Sequence, residues 1–268
     1  MRVALCVKRD IFGVIAARRL LGELGDAAEV DVFCSTKVRP AEGNVPGLRL
    51  LSALEREFPI GTLHPATMGE WAGAPEPLRP EAWLPLPDLR RDGGARSLLA
   101  RRPDLVVSMR FSLIFPQRVI DAVPMGILNI HPGPLPRYRG LFAPFWQVAR
   151  GESRLASSLH IVDTGIDTGP LIAEHGVARD DSRCLLWHIA ELYRGGATLA
   201  ATAVRVAAAG YPPRGHVQPA GGQYFRMPDA AAFGDFERGA MPLVSAVDYL
   251  GLLAEALLPP TLRSAVPA

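Results

Sequence analysis

The chain has 268 residues, 49% of them hydrophobic and 21% charged, the balance of a soluble globular protein with one sizeable domain, or one domain plus a small appendage. Its 29 basic and 27 acidic side chains leave a formal charge of +2; with the basic residues scattered, there is no electrostatic case for a nucleic-acid or anionic-membrane partner. The cysteines Cys6, Cys34 and Cys184 lack metal-ligand spacing and read as small core hydrophobes, with nothing pointing to an oxidising compartment.

In chain order, residues 2–7 predict a strand, 11–25 an amphipathic helix ending at a glycine, 29–33 a second strand, and 48–58 a helix closed by Pro59. Arg2 followed by apolar residues resembles a secretory signal, but Lys8, Arg9, Asp10, Arg18 and Arg19 interrupt every apolar run, and no stretch reaches membrane-spanning length; cytoplasmic residence is the expectation. The βαβ opening predicts an α/β fold, a Rossmann-like doubly wound and mostly parallel sheet flanked by helices. The turn after the first strand, CVKRDIFG, lacks Gly-x-Gly-x-x-Gly, which argues against a nicotinamide or flavin dehydrogenase. Residues 61–94 read as surface connections with a short strand near 82–86, and 95–102 as a short helix.

Two apolar runs, 105–108 and 126–130, have the length and flanks of buried strands, with a helix at 116–122 between them. Residues 144–151 predict a helix with Pro144 at its start, and 159–162 and 171–176 predict strands. Asp181 or Ser182 is then expected to cap a long amphipathic helix running to about Ala209, which Gly210–Gly215 breaks. Residues 1–210 are thus expected to form the main domain, with 211–268 a short C-terminal extension packed upon it.

The chemistry gathers at the ends of the two central strands, where open α/β sheets bind ligands. Asn129 offers amide donors to a developing oxyanion. His131, two residues on, faces the same side of an extended chain and can exchange a proton near neutral pH. Asp167 follows in a glycine-containing loop, separated from them by a loop, a helix and a returning strand. Read singly, each has an ordinary structural role; together they read as an active site. His64, His160, His175 and His188 read as structural and His216 as exposed. No His-x-x-x-His, Cys-x-x-Cys or carboxylate cluster suggests a metal.

Asn129-x-His131, Leu135-Pro136-x-x-x-Gly140 and Ile166-Asp167-Thr168-Gly169 resemble the motif set of the folate-dependent formyltransferases, a likeness covering roughly residues 100–210. The resemblance implies 10-formyltetrahydrofolate as co-substrate, no metal, and a catalytic triad on Asn129, His131 and Asp167. It places the pterin slot on Met109, Arg110, Phe111, Ile114 and Phe115, closed by Asp163, Thr164, Gly165 and Ile166. Substrate contacts would fall on Arg137, Tyr138, Arg139 and Phe142, the two arginines either holding a substrate carboxylate or standing solvated. The residues after Gly215 are expected to be too few and too little basic for the tRNA-binding β-barrel of methionyl-tRNA formyltransferases, and CVKRDIFG departs from the phosphate loop of glycinamide ribonucleotide formyltransferases. The texture RYRGLFAPFW is most similar to free-standing enzymes acting on small amines. N5-hydroxyornithine, in hydroxamate siderophore assembly, is the first acceptor expected. A sugar nucleotide is the second, with a formyltetrahydrofolate hydrolase and a non-catalytic folate binder as further alternatives. The oligomeric state is not readable.

Overall fold

In the computed structural model residues 1–37, 41–59 and 79–258 are described. The first strand, β1 (Arg2–Lys8), is buried from Val3 onward, as an apolar run covered on both faces must be. Its even and odd residues part to opposite sides. Val3, Leu5 and Val7 join a large core beneath the helices Ile11–Leu24 and Leu185–Ala208. Ala4 and Cys6 join a smaller core with Leu89, Leu98, Phe115 and Val119.

Further strands are β2 (Glu29–Ser35), β3 (Leu84–Leu86), β4 (Leu105–Met109), β5 (Ile127–His131), β6 (Tyr138–Gly140), β7 (Arg154–Ile161), β8 (Leu171–Ala178) and β9 (Gln223–Phe225). Seven of them form one sheet in the order β3-β2-β1-β4-β5-β7-β8. The first five run parallel and β7 and β8 antiparallel. The chain winds outward from β1 to β3 and then returns to β4 on the other flank, so β1 and β4 bracket the switch point of a doubly wound sheet. The Leu185–Ala208 helix lies close on the sheet because Gly196 has no side chain; a Cβ there would come within 2.4 Å of Ile130 Cγ2. Among the described residues no helix is long and apolar enough to cross a membrane.

Several expectations are corrected. The strand expected at 159–162 begins at Arg154. Ser157 and Ser158 interrupt its apolar pattern, yet both are fully buried and satisfied by the carbonyls of Leu192 and Gly133. The strand expected at 171–176 runs to Ala178. The 48–58 helix is an α-helix over Pro46–Ser52 that widens into a π-turn over Ala53–Glu57. Strand β9 was not expected; it pairs with β6 in a separate parallel ribbon. His64 and most of the connection expected at 61–94 lie outside the described residues.

The long helix is not capped by Asp181 or Ser182. Asp180 accepts the Ser182 N–H and hydroxyl, closing a local turn, and the helix begins after Cys184 with no side-chain cap of its own. Its first amides are taken by the C-terminal segment. Cys184 N donates to Asp248 Oδ2 at 2.8 Å, and Leu185 and Leu186 donate to the carbonyls of Pro242 and Leu243. Asp248 is buried, 4% exposed. Burial pushes its carboxyl up, but the Cys184 N–H and Arg183 outweigh this and hold it below the ordinary value. Asp248→Ala should therefore lower the unfolding free energy by about 1–3 kcal/mol, read as a shift in the urea midpoint at neutral pH, because a buried amide loses its acceptor.

Candidate active site

Strand β5 ends on Asn129 and His131, and the register of its neighbours fixes what stands beside them. Ser108 of β4 lies opposite Asn129 on one side. On the other, antiparallel β7 sets His160 against Asn129 and Ser158 against His131. His160 Nδ1 lies 3.0 Å from the Ile161 carbonyl, which only accepts, so the proton sits there. His160 Nε2 then accepts from Asn129 Nδ2 at 3.1 Å, fixing the amide's orientation and leaving its second N–H for a ligand. By the same logic His131 Nε2 donates to the Tyr138 carbonyl, and its Nδ1 faces Asp167 Oδ2 at 3.5 Å.

Asp167 stands between the two imidazoles, its Oδ1 3.6 Å from His160 Nε2. Its Oδ2 also accepts the Gly140 N–H at 2.8 Å. Gly140 has φ +97°, and a Cβ on it would meet the Phe225 carbonyl at 2.4 Å, so only glycine presents that amide here. Burial pushes the Asp167 carboxyl up; the neighbouring His131 and His160 rings and the Gly140 amide outweigh it and hold the group well below the usual carboxylate range. It is an anion at neutral pH.

These groups line a cavity of about 260 Å³. The lining includes Phe111 and Phe115, stacked at 5.4 Å, with Ile114, Asp163, Gly165 and Ile166. Ile114 and Ile166 are 56% and 46% exposed, leaving an apolar lip around the mouth. Lys8, Ser52, Glu55, Phe142, Tyr193 and Met227 line it as well. Arg110, Phe142 and Asp167 have φ near +55°, and all three line this cavity. Left-handed backbone in residues other than glycine is costly and gathers at functional sites.

The structure thus brings Asn129, His131, Asp167, Arg110, Phe111, Ile114, Phe115, Asp163, Gly165, Ile166 and Phe142 to one cavity. Met109 is instead fully buried in the core under β4, and Thr164 is exposed and off the wall. Arg137 pairs with Glu152, and the Tyr138 hydroxyl donates to the same carboxylate at 2.7 Å while its ring stacks on Phe225. Arg139 is half-buried and does not reach the wall. Arg110 lines the cavity floor, but its Nε lies 2.9 Å from Asp10 Oδ2 and its Nη2 bonds Glu55. Asp10 also caps the first helix through Gly13 N, so Arg110 is a strut beneath the cavity. The residue missed is His160, read as structural; only its antiparallel pairing with Asn129 reveals its place. Among the described residues no group of three or more His, Cys, Asp or Glu is arranged to hold a metal.

A doubly wound sheet with its polar groups collected beside the switch point defines a ligand-binding Rossmann-like domain. Residues 87–182 match the family model for formyl transferases. It is 32% identical over 94 residues to a methionyl-tRNA formyltransferase of Pelobacter propionicus, covering 35% of this chain and 30% of that protein. It is 31% identical over 80 residues to a GDP-perosamine N-formyltransferase of Brucella melitensis, covering 30% of this chain and 31% of that one. The matched stretch thus spans about a third of each curated relative. A sugar N-formyltransferase from Shewanella superposes with a TM-score of 0.58 at 16% identity, over 96% of this chain and 88% of that one. The formyltransferase PseJ from Anoxybacillus kamchatkensis, solved with a UDP-linked formamido sugar and tetrahydrofolate, superposes with a TM-score of 0.51 at 16% identity, over 85% of this chain and 86% of that one. At such identities the likeness is one of fold.

Asp167 titrates below the ordinary carboxylate value in the folded chain. A lowered carboxyl contributes stability that is present above the unfolded value and is lost as pH falls below it. The difference in urea midpoint between wild type and Asp167→Asn should be widest at neutral pH and close as the pH is taken below 3.8.

Proposed function

We propose that the protein transfers the formyl group of 10-formyltetrahydrofolate to the nitrogen of a small amine or hydroxylamine. The observation that carries this reading is the convergence of Asn129, His131 and an ionised Asp167 on one cavity within the family-matched segment. The stacked Phe111 and Phe115, with Ile114 and Ile166 on the same wall, offer apolar surface suited to the folate's pterin ring. Bound there, the folate supplies the formyl carbon.

The acceptor nitrogen attacks that carbon, and negative charge develops on the formyl oxygen. The second N–H of Asn129 and a protonated His131 Nδ1 meet it, each good donor worth roughly 3–4 kcal/mol in the transition state. The Asp167 anion faces that nitrogen at 3.5 Å. Held so far below neutrality, Asp167 is a weak base and acts chiefly by its charge. The new C–N bond forms as the old one breaks, and the proton shed by the acceptor nitrogen passes, directly or through water, to the departing folate nitrogen.

A small zwitterion such as N5-hydroxyornithine is the acceptor class we favour. Beyond the triad the described wall carries one ammonium, Lys8, and two carboxylates: Glu55, which also pairs with Arg110, and Asp163, which accepts the Gly165 N–H and the Thr168 hydroxyl; Ser52 and Tyr193 line it too. This is a complement for the carboxylate and ammonium of an amino acid. The other cation of the described wall, Arg110, is engaged by Asp10 and Glu55, so no cationic cluster for a diphosphate is found among the described residues. A sugar nucleotide is the second reading; Tyr224, half exposed opposite Arg139 on the β6–β9 ribbon, offers a stacking face.

The test follows tetrahydrofolate release with N5-hydroxyornithine, ornithine, an amino-sugar nucleotide, glycinamide ribonucleotide and water alone. Turnover with one amine is expected, abolished in His131→Ala. Asp167→Asn should retain folate binding while kcat falls about 10²-fold or more. Equal turnover with water alone would make the protein a hydrolase, and folate binding without turnover a non-catalytic binder.

A further inference from the structure

The Asp167 loop is held in place by a residue that lies outside the cavity and outside the family-matched segment. Gln218 Nε2 donates to the Asp167 carbonyl at 3.1 Å and to the Gly169 carbonyl at 2.7 Å. Two carbonyls accept and never donate, so only the amide's NH₂ end can face them, and both of its hydrogens are used. Gln218 Oε1 is buried with no hydrogen-bond partner; the side chain is oriented by what its nitrogen holds. Its own backbone is seated two residues earlier, where His216 exchanges two hydrogen bonds with Leu171 at the start of β8. The same C-terminal segment then supplies β9, which pairs with β6 and whose Phe225 carbonyl accepts Leu141 N at 2.8 Å. That pairing orients the Gly140 amide that Asp167 accepts and lies beside the Tyr138 carbonyl that binds His131.

We infer that Gln218 is a positioning residue for the proposed transfer: by clipping the carbonyls on either side of Thr168 it holds the left-handed backbone of Asp167 and sets the carboxylate between His131 and His160. The inference rests on the formyl-transfer reading for its consequence in rate. It predicts a loss in kcat without a matching loss in substrate affinity, because Phe111 and Phe115 come from another segment of the chain.

Gln218→Met keeps an unbranched side chain and removes both donors. Its kcat should fall about 10- to 100-fold with KM for folate and acceptor within about twofold. The thermal midpoint should stay within a few degrees of wild type. Gln218→Glu turns acceptor atoms toward two acceptors while ionised and regains a donor when protonated, so its kcat should recover relative to wild type as pH is lowered. A Gln218→Met kcat within twofold of wild type overturns the inference, as does a loss that merely tracks a fallen midpoint or a Gln218→Glu profile parallel to that of wild type. If the wild type itself turns over no amine, the formyl-transfer reading has failed, and positioning is then judged on the His131 ring signals in NMR. They should move in Gln218→Met; unchanged signals refute it.

Discussion

A buried carboxylate is expensive unless every lone pair is answered, and Asp167 is the group around which this molecule resolves that cost. Its two oxygens meet two imidazoles and one backbone amide, and each partner demands something of the fold. His160 demands that β7 run antiparallel to β5 in one register. The Gly140 amide demands a glycine and a ribbon with the C-terminal segment. The left-handed turn at Asp167 demands an outside hold on the loop. The half of the sheet beyond β5 is thus arranged about one negative charge, while the parallel half supplies the cavity floor and its buried Asp10–Arg110–Glu55 network.

That arrangement also decides the division of labour. A carboxylate so stabilised gains little by taking a proton, whereas in the proposed transfer its field acts on His131 while negative charge builds nearby. Asn129 gives one N–H to His160 and keeps the other. The amide, two imidazoles and the carboxylate form one chain in which each orients the next, and this rigidity is what a preorganised site needs.

The parallel half of the sheet and the three motifs were legible because their signals are local: continuous apolar runs make buried strands, and polar groups at the ends of those runs stand at the edge where ligands bind. Asn129, His131 and Asp167 announce themselves in that way. His160 does not, since a histidine in an amphipathic strand looks structural until the neighbouring strand is placed against it. Arg110 was legible as a cavity residue but not as an ion-paired strut, because Asp10 lies 100 residues away in sequence. Arg137 and Tyr138 looked like substrate contacts from their nearness to the motif; Glu152, one helix further on, draws both aside. Strand β9 is too short to carry a pattern of its own.

The capping of the Leu185–Ala208 helix by residues 242–248 bears on the order in which the chain is made. That helix covers the central strands, yet the acceptors for its first amides leave the ribosome dozens of residues after it does. Its middle and end can settle on the sheet as they emerge, while its first turn stays frayed until Asp248 arrives. Synthesis and completion of the core are out of step, and the last lock on the central helix closes only after the segment carrying Gln218 and β9 has been made, so the site and the core reach their final form together.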